Sequence, residues 1–201
     1  MKVEPGPGRR RRVTQSLPTR LSDMSTQQKR IAFLVAPEGI EEKELIDPRR
    51  AVDEAGHETV LVSTDSGEVQ AFNHLDKANT YPVDRIVSEV SVDDFDALVL
   101  PGGVANPDAL RTDEQAVALI AEFIGSGKPV AAICHAPWTL VEADVVRGRK
   151  LTSWPSLQTD LRNAGADWVD EEVVVDQNLI TSRNPGDIPA FNKALLDALS
   201  D

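Results

Sequence analysis

Cysteine is almost absent from this chain, which has one, Cys134, in 201 residues. A single thiol cannot form a disulfide within the chain, and so little cysteine is typical of a protein from a reducing compartment. Apolar runs are short as well, and none approaches the roughly 18 residues that span a bilayer. No apolar segment follows the N-terminal arginines as it would in a secretory signal. We therefore expect a cytoplasmic protein without a membrane partner.

Histidine is also scarce, and its placement excludes one class of enzyme. His57 and His74 precede Cys134, His135 follows it directly, and no histidine comes later. Papain-like proteases and glutamine amidotransferases take the base for their cysteine from a downstream histidine. Those arrangements are excluded here. No metal site and no cofactor are predicted.

Basic residues are few outside the N-terminus. Residues 31–201 carry 13 Lys and Arg against 31 Asp and Glu, whereas residues 1–30 carry eight and two. So acidic a domain repels phosphate, and nucleic acid is not expected as a partner of the folded part. Residues 1–28 include four consecutive arginines and have little to bury, which predicts a disordered basic leader before a single domain over 29–201. The arginines could bind an anionic surface, but a dispensable extension is the commoner case.

Apolar runs and helical segments alternate through residues 29–201. Buried strands are predicted at 31–36, 59–63, 97–100, 130–133 and 151–154, and two hairpins within 64–90 and at 173–181. Helices are predicted from about 42 to 55, 113 to 124, 137 to 143, 156 to 164 and 187 to 199. This alternation predicts βαβ units in a doubly wound α/β sandwich.

The segment around Cys134 carries the clearest functional signal. The apolar run 130–133 stops at Cys134, and a helix with Pro137 in its first turn follows. A strand that turns directly into a helix lifts the turn residue against free backbone N–H groups, as in the nucleophile elbow of hydrolases. The helix dipole should then lower the thiol pKa below about 8.5. The alternative is an inert thiol buried at the end of a core strand.

Two other turns should meet Cys134, because ligands bind where the strands of such sheets end. Gly102 and Gly103 follow the strand 97–100, and the carboxylate-rich turn 38–42 follows the first strand. The glycines can form a tight turn and also present N–H groups to an oxyanion. Most of the carboxylates suit the first turn of a helix. One that reaches the thiol would be partly desolvated and could share a proton with the sulfur.

A series of ordered motifs resembles the PfpI/ThiJ family. They are EGIEEKEL at 38–45, AGHE at 55–58, FDALVLPGG at 95–103, GKPVAAICH at 127–135 and, for the PfpI branch, ADVVRGRKLT at 143–152, NAGA at 163–166 and TSRNPGDIPAF at 181–191. The resemblance covers about residues 29–199. It implies a flavodoxin-like three-layer α/β sandwich, with a mostly parallel sheet and helices on both faces, that assembles into homodimers or larger homo-oligomers.

The resemblance also assigns catalytic roles. Cys134 would be the nucleophile, Glu41 the carboxyl hydrogen-bonded to it, and His135 the neighbouring histidine. Asp108 would reach His135 from another subunit. Many PfpI members have Glu at that position, and the shorter Asp108 puts a protease-type triad in doubt.

Further residues are placed around the thiol by the same resemblance. The N–H groups of Gly103 and His135 would hold an oxyanion, and Gly102, Trp138 and Arg183 would line the pocket. The implied function is that of a cofactor-independent cysteine hydrolase or lyase of the protease, glyoxalase or deglycase type. It would act on small carbonyl compounds, glycated groups or peptides in stress protection.

The alternative hypothesis is that the chain is a non-catalytic stress protein. It would be a redox sensor, in which Cys134 is oxidised to a sulfenic acid, or a chaperone. Turnover that disappears in Cys134→Ala favours the enzyme. Sulfenylation without any turnover favours the sensor.

Overall fold

The computed structural model describes residues 1–3 and 27–200. The predicted leader, residues 1–28, therefore lies largely outside the described residues. The strands are β1 (Arg30–Val35), β2 (Glu38–Glu41), β3 (Glu58–Ser63), β4 (Glu68–Asn73), β5 (Asp76–Pro82), β6 (Arg85–Ile86), β7 (Ala97–Leu100), β8 (Val130–Ile133), β9 (Lys150–Leu151), β10 (Asp167–Trp168), β11 (Val173–Asp176) and β12 (Leu179–Ser182). The helices are α1 (Glu42–Glu54), α2 (Ala105–Leu110), α3 (Glu114–Ser126), α4 (Pro137–Glu142), α5 (Gln158–Asn163) and α6 (Ile188–Ser200).

Seven strands form the central sheet, in the order β11, β12, β8, β7, β1, β3, β6. Each neighbouring pair is parallel except β11 with β12. Because successive side chains of a strand point to opposite faces, Ala32 and Leu34 of β1 join one apolar core while Ile31, Phe33 and Val35 join the other. This two-sided burial explains why the core strands are continuous apolar runs.

Helices cover both faces of the sheet. Residues of α3, α4 and α5 pack into the first core, and residues of α1 and α6 pack into the second. Phe33, Phe123 and Phe191 are fully buried, and burial of such a side chain contributes about 2 kcal/mol. The predicted three-layer α/β sandwich is thus confirmed. In the part of the chain that the structure describes, no helix is both long enough and apolar enough to cross a membrane.

Some local predictions were wrong. The turn predicted at 38–42 contains β2, which pairs with β4 in a small separate sheet, β2-β4-β5. The segment after Gly103, where no helix was predicted, forms α2. The strand predicted over 151–154 ends at Leu151, because Trp154 turns toward the elbow and donates its N–H to the carbonyl of Cys134 at 2.8 Å. The last helix, in contrast, begins within one residue of its predicted start, at Ile188, after a 3₁₀ turn that ends at Asp187.

Candidate active site

Cys134 lies at the end of β8 in a strained backbone conformation. Its φ is +63°, in the left-handed region that residues other than glycine seldom occupy. Its N–H donates to the carbonyl of Ser182 at 3.0 Å, and its carbonyl accepts from Trp154 N at 2.8 Å. Strain of this kind persists where neighbouring hydrogen bonds over-determine it, and it is frequent at active sites. The predicted elbow is therefore present, with the thiol 6% exposed.

The carboxyl beside this thiol belongs to Glu44, and the assignment to Glu41 was wrong. Glu44 is completely buried, and its Oε2 accepts the N–H of Gly102 at 2.9 Å. Glu41 is the last residue of β2, and its Oε2 accepts the N–H of His74 at 3.1 Å. Because α1 begins only at Glu42, Glu44 is in its first turn and faces inward.

A signal for Glu44 was present in the sequence. The buried residues of α1 are Glu44, Leu45, Pro48 and Val52, a helical spacing that places them on one face. Glu44 is the one carboxylate on that apolar face of the helix. A charged residue in an apolar stripe is the unusual case that indicates a function.

Burial controls the protonation of this pair. It raises the pKa of Glu44 to about 8, and the hydrogen bond with Cys134 opposes the rise. Burial also raises the pKa of Cys134, and the neighbouring carboxylate of Glu44 adds to that rise. The predicted lowering of the thiol pKa by the helix dipole was therefore wrong, since α4 has only six residues and burial outweighs it.

The two acids titrate as a coupled pair and hold no more than one negative charge between them over the ordinary pH range. A charge on one group opposes ionisation of the other, so the two protons leave in separate steps. Oε1 of Glu44 has no hydrogen bond of good geometry within the described residues, whereas Oε2 accepts the N–H of Gly102. Oε1 is therefore available to exchange a proton with the sulfur of Cys134.

Both backbone N–H groups that the sequence placed around an oxyanion lie against Cys134. Hydrogen bonds from the N–H groups of Gly103 and His135 lower the pKa of the thiol, against the larger effect of burial. Gly103 has a φ of +80°, and a Cβ at this position would collide with the carbonyl oxygen of Gly39. The turn therefore requires glycine. A role for these N–H groups in binding an oxyanion stays a prediction.

His135 is closer to the sulfur than its place on the elbow indicated. Its Nδ1 lies 3.2 Å from Sγ of Cys134. Its ring stacks on Trp154 at 5.5 Å between centroids and meets the edge of Trp138 at 5.4 Å. Burial lowers the pKa of His135 to about 4, so the imidazole is neutral at physiological pH.

Asp108 does not join this arrangement within one subunit. It lies on α2, in a separate depression with Arg111 and Glu142. No hydrogen bond to Nε2 of His135 occurs within the described part of the chain, where Nδ1 alone is engaged. Contact between Asp108 and His135 across two subunits remains a prediction.

The thiol opens onto a cavity of about 400 Å³. The residues that line it are Glu38, Gly39, Glu41, Glu44, Phe72, His74, Leu75, Gly103, Val104, Ala105, Cys134, His135, Trp154 and Pro185. Three of them, Phe72, His74 and Leu75, come from the end of β4 and its turn into β5. The sequence predicted only a hairpin within residues 64–90 and gave no indication that these three residues lie at the cavity.

The three residues predicted to line the pocket lie outside its wall. Gly102 is beneath it, with its N–H on Glu44. Trp138 packs behind His135 and donates its Nε1–H to Asp160 at 2.9 Å. Arg183 points away, because Asp187 and Asp170 hold its guanidinium in ion pairs of 2.9 and 2.8 Å.

A strained cysteine with a buried carboxyl partner, at the carboxyl edge of a parallel α/β sheet, defines a class of cysteine-nucleophile enzymes. Residues 29–198 match the DJ-1/PfpI family, and the chain belongs to that family. It is 44% identical over 172 residues to Protein/nucleic acid deglycase 2 of Escherichia coli (strain K12), which covers 85% of this chain and 98% of the relative.

Two other proteins extend the likeness. General stress protein 18 of Bacillus subtilis (strain 168) is 44% identical over 160 residues, 79% of this chain and 91% of the relative. The crystal structure of Drosophila melanogaster DJ-1beta superposes with a TM-score of 0.78 at 31% identity, over 86% of this chain and 91% of that one. The predicted family and fold are confirmed. The chain is an enzyme of the PfpI type, as the resemblance implied.

Proposed function

We propose that this protein is a deglycase-type cysteine enzyme of stress protection, which acts on carbonyl groups that are free or attached to amines. The observation that carries the proposal is the thiol of Cys134, held on a strained elbow against the buried carboxyl of Glu44. The name of one relative, a deglycase, supports this reaction class, and that of another, a general stress protein, supports the role in stress protection.

The chemistry begins when the pair has lost one proton and the remaining proton moves from the sulfur of Cys134 to the carboxylate of Glu44, which leaves a thiolate. The thiolate attacks the carbonyl carbon, a sulfur–carbon bond forms, and the π electron pair of C=O moves to the oxygen. The N–H groups of Gly103 and His135 are placed to stabilise that oxyanion. Glu44 then gives its proton to the oxygen or, where the attacked carbon carries an amine as a hemiaminal, to that amine as the carbon–nitrogen bond breaks. In the resulting adduct a proton moves from the sulfur-bearing carbon to the neighbouring carbonyl carbon through an enediol, which leaves a thioester. Water hydrolyses this thioester to a 2-hydroxy acid and the free thiol.

The cavity favours small substrates. Its volume of about 400 Å³ is near the lower end of the range for ligand pockets. A dicarbonyl compound or an adduct on one side chain fits this space better than an extended peptide does. Small carbonyl compounds and glycated groups are therefore preferred over peptides as substrates.

The test compares wild type with Cys134→Ser on methylglyoxal, on a glycated arginine derivative and on a peptide. We expect turnover of a carbonyl substrate, with a loss of about 1,000-fold or more in Cys134→Ser, because covalent catalysis needs the thiolate. An inactive wild type whose Cys134 is sulfenylated at low peroxide would favour the redox-sensor alternative and overturn the proposal.

A homo-oligomer that completes the site is the second part of the proposal. Neutral His135 has no hydrogen-bond partner for Nε2 within the described residues, and Asp108 is exposed on α2. Mixing Cys134→Ala with Asp108→Ala subunits should restore part of the activity, because some sites then combine an intact thiol with an intact carboxylate. Full activity in a monomer, shown by sedimentation, would contradict the shared site.

A further inference from the structure

The cavity carries charge of one sign. Three carboxyl groups line it, those of Glu38, Glu41 and Glu44, and among the described residues its lining includes neither lysine nor arginine. Burial raises the pKa of Glu44 to about 8, so at neutral pH this group is largely protonated. The charges that meet an incoming molecule are therefore those of Glu38 and Glu41.

Within the described residues, no cation neutralises either of these two carboxylates. Glu38 is exposed at the start of β2, and Glu41 is partly buried at its end. Among the ion pairs of the described residues, none includes either side chain. The hydrogen bond from the N–H of His74 to Glu41 fixes the carboxylate but does not cancel its charge.

Apolar side chains lie beside these carboxylates at the mouth. Leu75 is 94% exposed at the turn between β4 and β5, and Val104 is 56% exposed at the start of α2. Phe72 and Trp154 continue this surface toward the thiol. Apolar walls limit the water between a ligand and the two carboxylates, and a cleft of one charge with such walls focuses its field.

We infer that the mouth of this cavity selects substrates by charge: uncharged and cationic carbonyl compounds reach Cys134, and anionic ones such as 2-oxo acids and phosphorylated sugars are excluded. That these substrates are carbonyl compounds rests on the proposed function. The exclusion of anions rests on Glu38 and Glu41 alone.

The test uses thiol reagents and needs no turnover. Because Cys134 is the single cysteine of the chain, all labelling reports on this site. Methanethiosulfonates with a trimethylammonium-ethyl, a methyl or a sulfonatoethyl tail differ in charge and react by the same chemistry. Their rates at pH 7 are divided by their rates with 2-mercaptoethanol, which removes intrinsic differences between the reagents.

In the wild type we expect the cationic reagent to be favoured over the anionic one by about tenfold, a preference that shrinks in high salt because salt screens exposed charges. Glu38→Gln should reduce the preference severalfold, and Glu38→Gln with Glu41→Gln should nearly abolish it. Glu122→Gln is the matched control, because it removes the same charge from an exposed position on α3. It should keep the preference of the wild type.

Two outcomes would overturn the inference. One is a wild type without a charge preference, and the other is an equal loss of preference in Glu38→Gln and Glu122→Gln. Glu38→Gln is decisive if the Glu41 variant disturbs the β4–β5 turn, because the Glu38 side chain makes no ion pair that holds the fold. A charge preference in labelling without turnover of any carbonyl compound would contradict the proposed function and leave the selection intact.

Discussion

The floor of the cavity, where Cys134 and Glu44 meet, is buried and is fixed by the N–H groups of Gly102 and Trp154, which donate to it, and by the carbonyl of Ser182, which accepts the N–H of Cys134. Its wall at the β4–β5 turn is exposed and is held by side chains at the junction of β2 and α1. Glu41 accepts the N–H of His74, and Glu42 accepts four hydrogen bonds, from Asn73 Nδ2, Asn79 N, Asn79 Nδ2 and Tyr81 Oη.

This difference separates reaction from selection. The nucleophile is part of the central sheet, and its geometry cannot change without disturbing the core. The hairpin wall belongs to a separate small sheet, so its residues can change while the nucleophile stays in place. Binding residues are commonly carried in this way on loops that a rigid scaffold positions.

The largest expected effect on stability comes from adding a side chain at Gly103, in the floor of the cavity. Gly103 and Gly56 both have a positive φ, of +80° and +86° respectively. A Cβ at Gly103 would collide with Gly39, whereas a Cβ at Gly56 would meet nothing within 4 Å. Gly56→Ala should lower the free energy of unfolding by about 1 kcal/mol, the cost of the backbone conformation alone. Gly103→Ala should lower it by about 3 kcal/mol or more. Urea denaturation measures both, and equal losses would contradict the close approach of Gly103 to β2.

The next effect is a pH dependence that Glu44 gives to stability. Its pKa is raised by burial to about 8 in the folded protein from 4.5, so the folded state holds a proton that the unfolded state has lost. This contribution is fully present below pH 4.5 and is lost as the pH rises through 8. Between pH 6.5 and 8 the wild type should lose roughly 2 kcal/mol.

Glu44→Gln should flatten the stability curve in that window. The window lies above the range in which His135 titrates, because the pKa of that group is lowered by burial to about 4 from 6.5. Urea denaturation at several pH values gives the slope. A Glu44→Gln slope equal to that of the wild type would show that another group binds the proton.

The smallest effect is expected in the wall. Tyr81 Oη donates to Glu42 at 2.8 Å, and this bond lowers the pKa of Glu42 and helps to raise that of Tyr81 to about 12. Tyr81→Phe should cost about 1 kcal/mol of unfolding free energy and speed proteolysis within the β4–β5 hairpin. Labelling of Cys134 by a neutral reagent should change little. A large loss of labelling would show that wall and floor are coupled.

The sequence was sufficient for the floor of the site, apart from the identity of its carboxyl. Apolar runs of strand length predicted the parallel sheet, and the break at Cys134 predicted the elbow, because both depend on local residue types. The choice between Glu41 and Glu44 depended on where α1 begins. Formation of β2 requires pairing with β4, which is about 30 residues away in the chain, and no local pattern reveals such pairing.

The residues of the cavity wall and the raised pKa of the thiol could not be predicted from local sequence patterns either. Leu75 lies in a polar turn, and its place at the cavity follows from the packing of the small sheet beside α2. The N–H groups near Cys134, which the local sequence reveals, lower the thiol pKa. Burial of the thiol and its contact with Glu44 raise the pKa by more. Both of those effects arise only in the folded chain.

The central claim is that Cys134 and Glu44 share one charge, and the rate of iodoacetamide labelling against pH tests it most directly. The wild type should show two steps, because a coupled pair loses its protons in two stages. Glu44→Gln should show one step, whereas Glu41→Gln should keep two with a small shift, since Glu41 contributes to the raised pKa of Glu44. A Glu44→Gln profile that superimposes on that of the wild type, or a step that disappears in Glu41→Gln instead, would contradict the account.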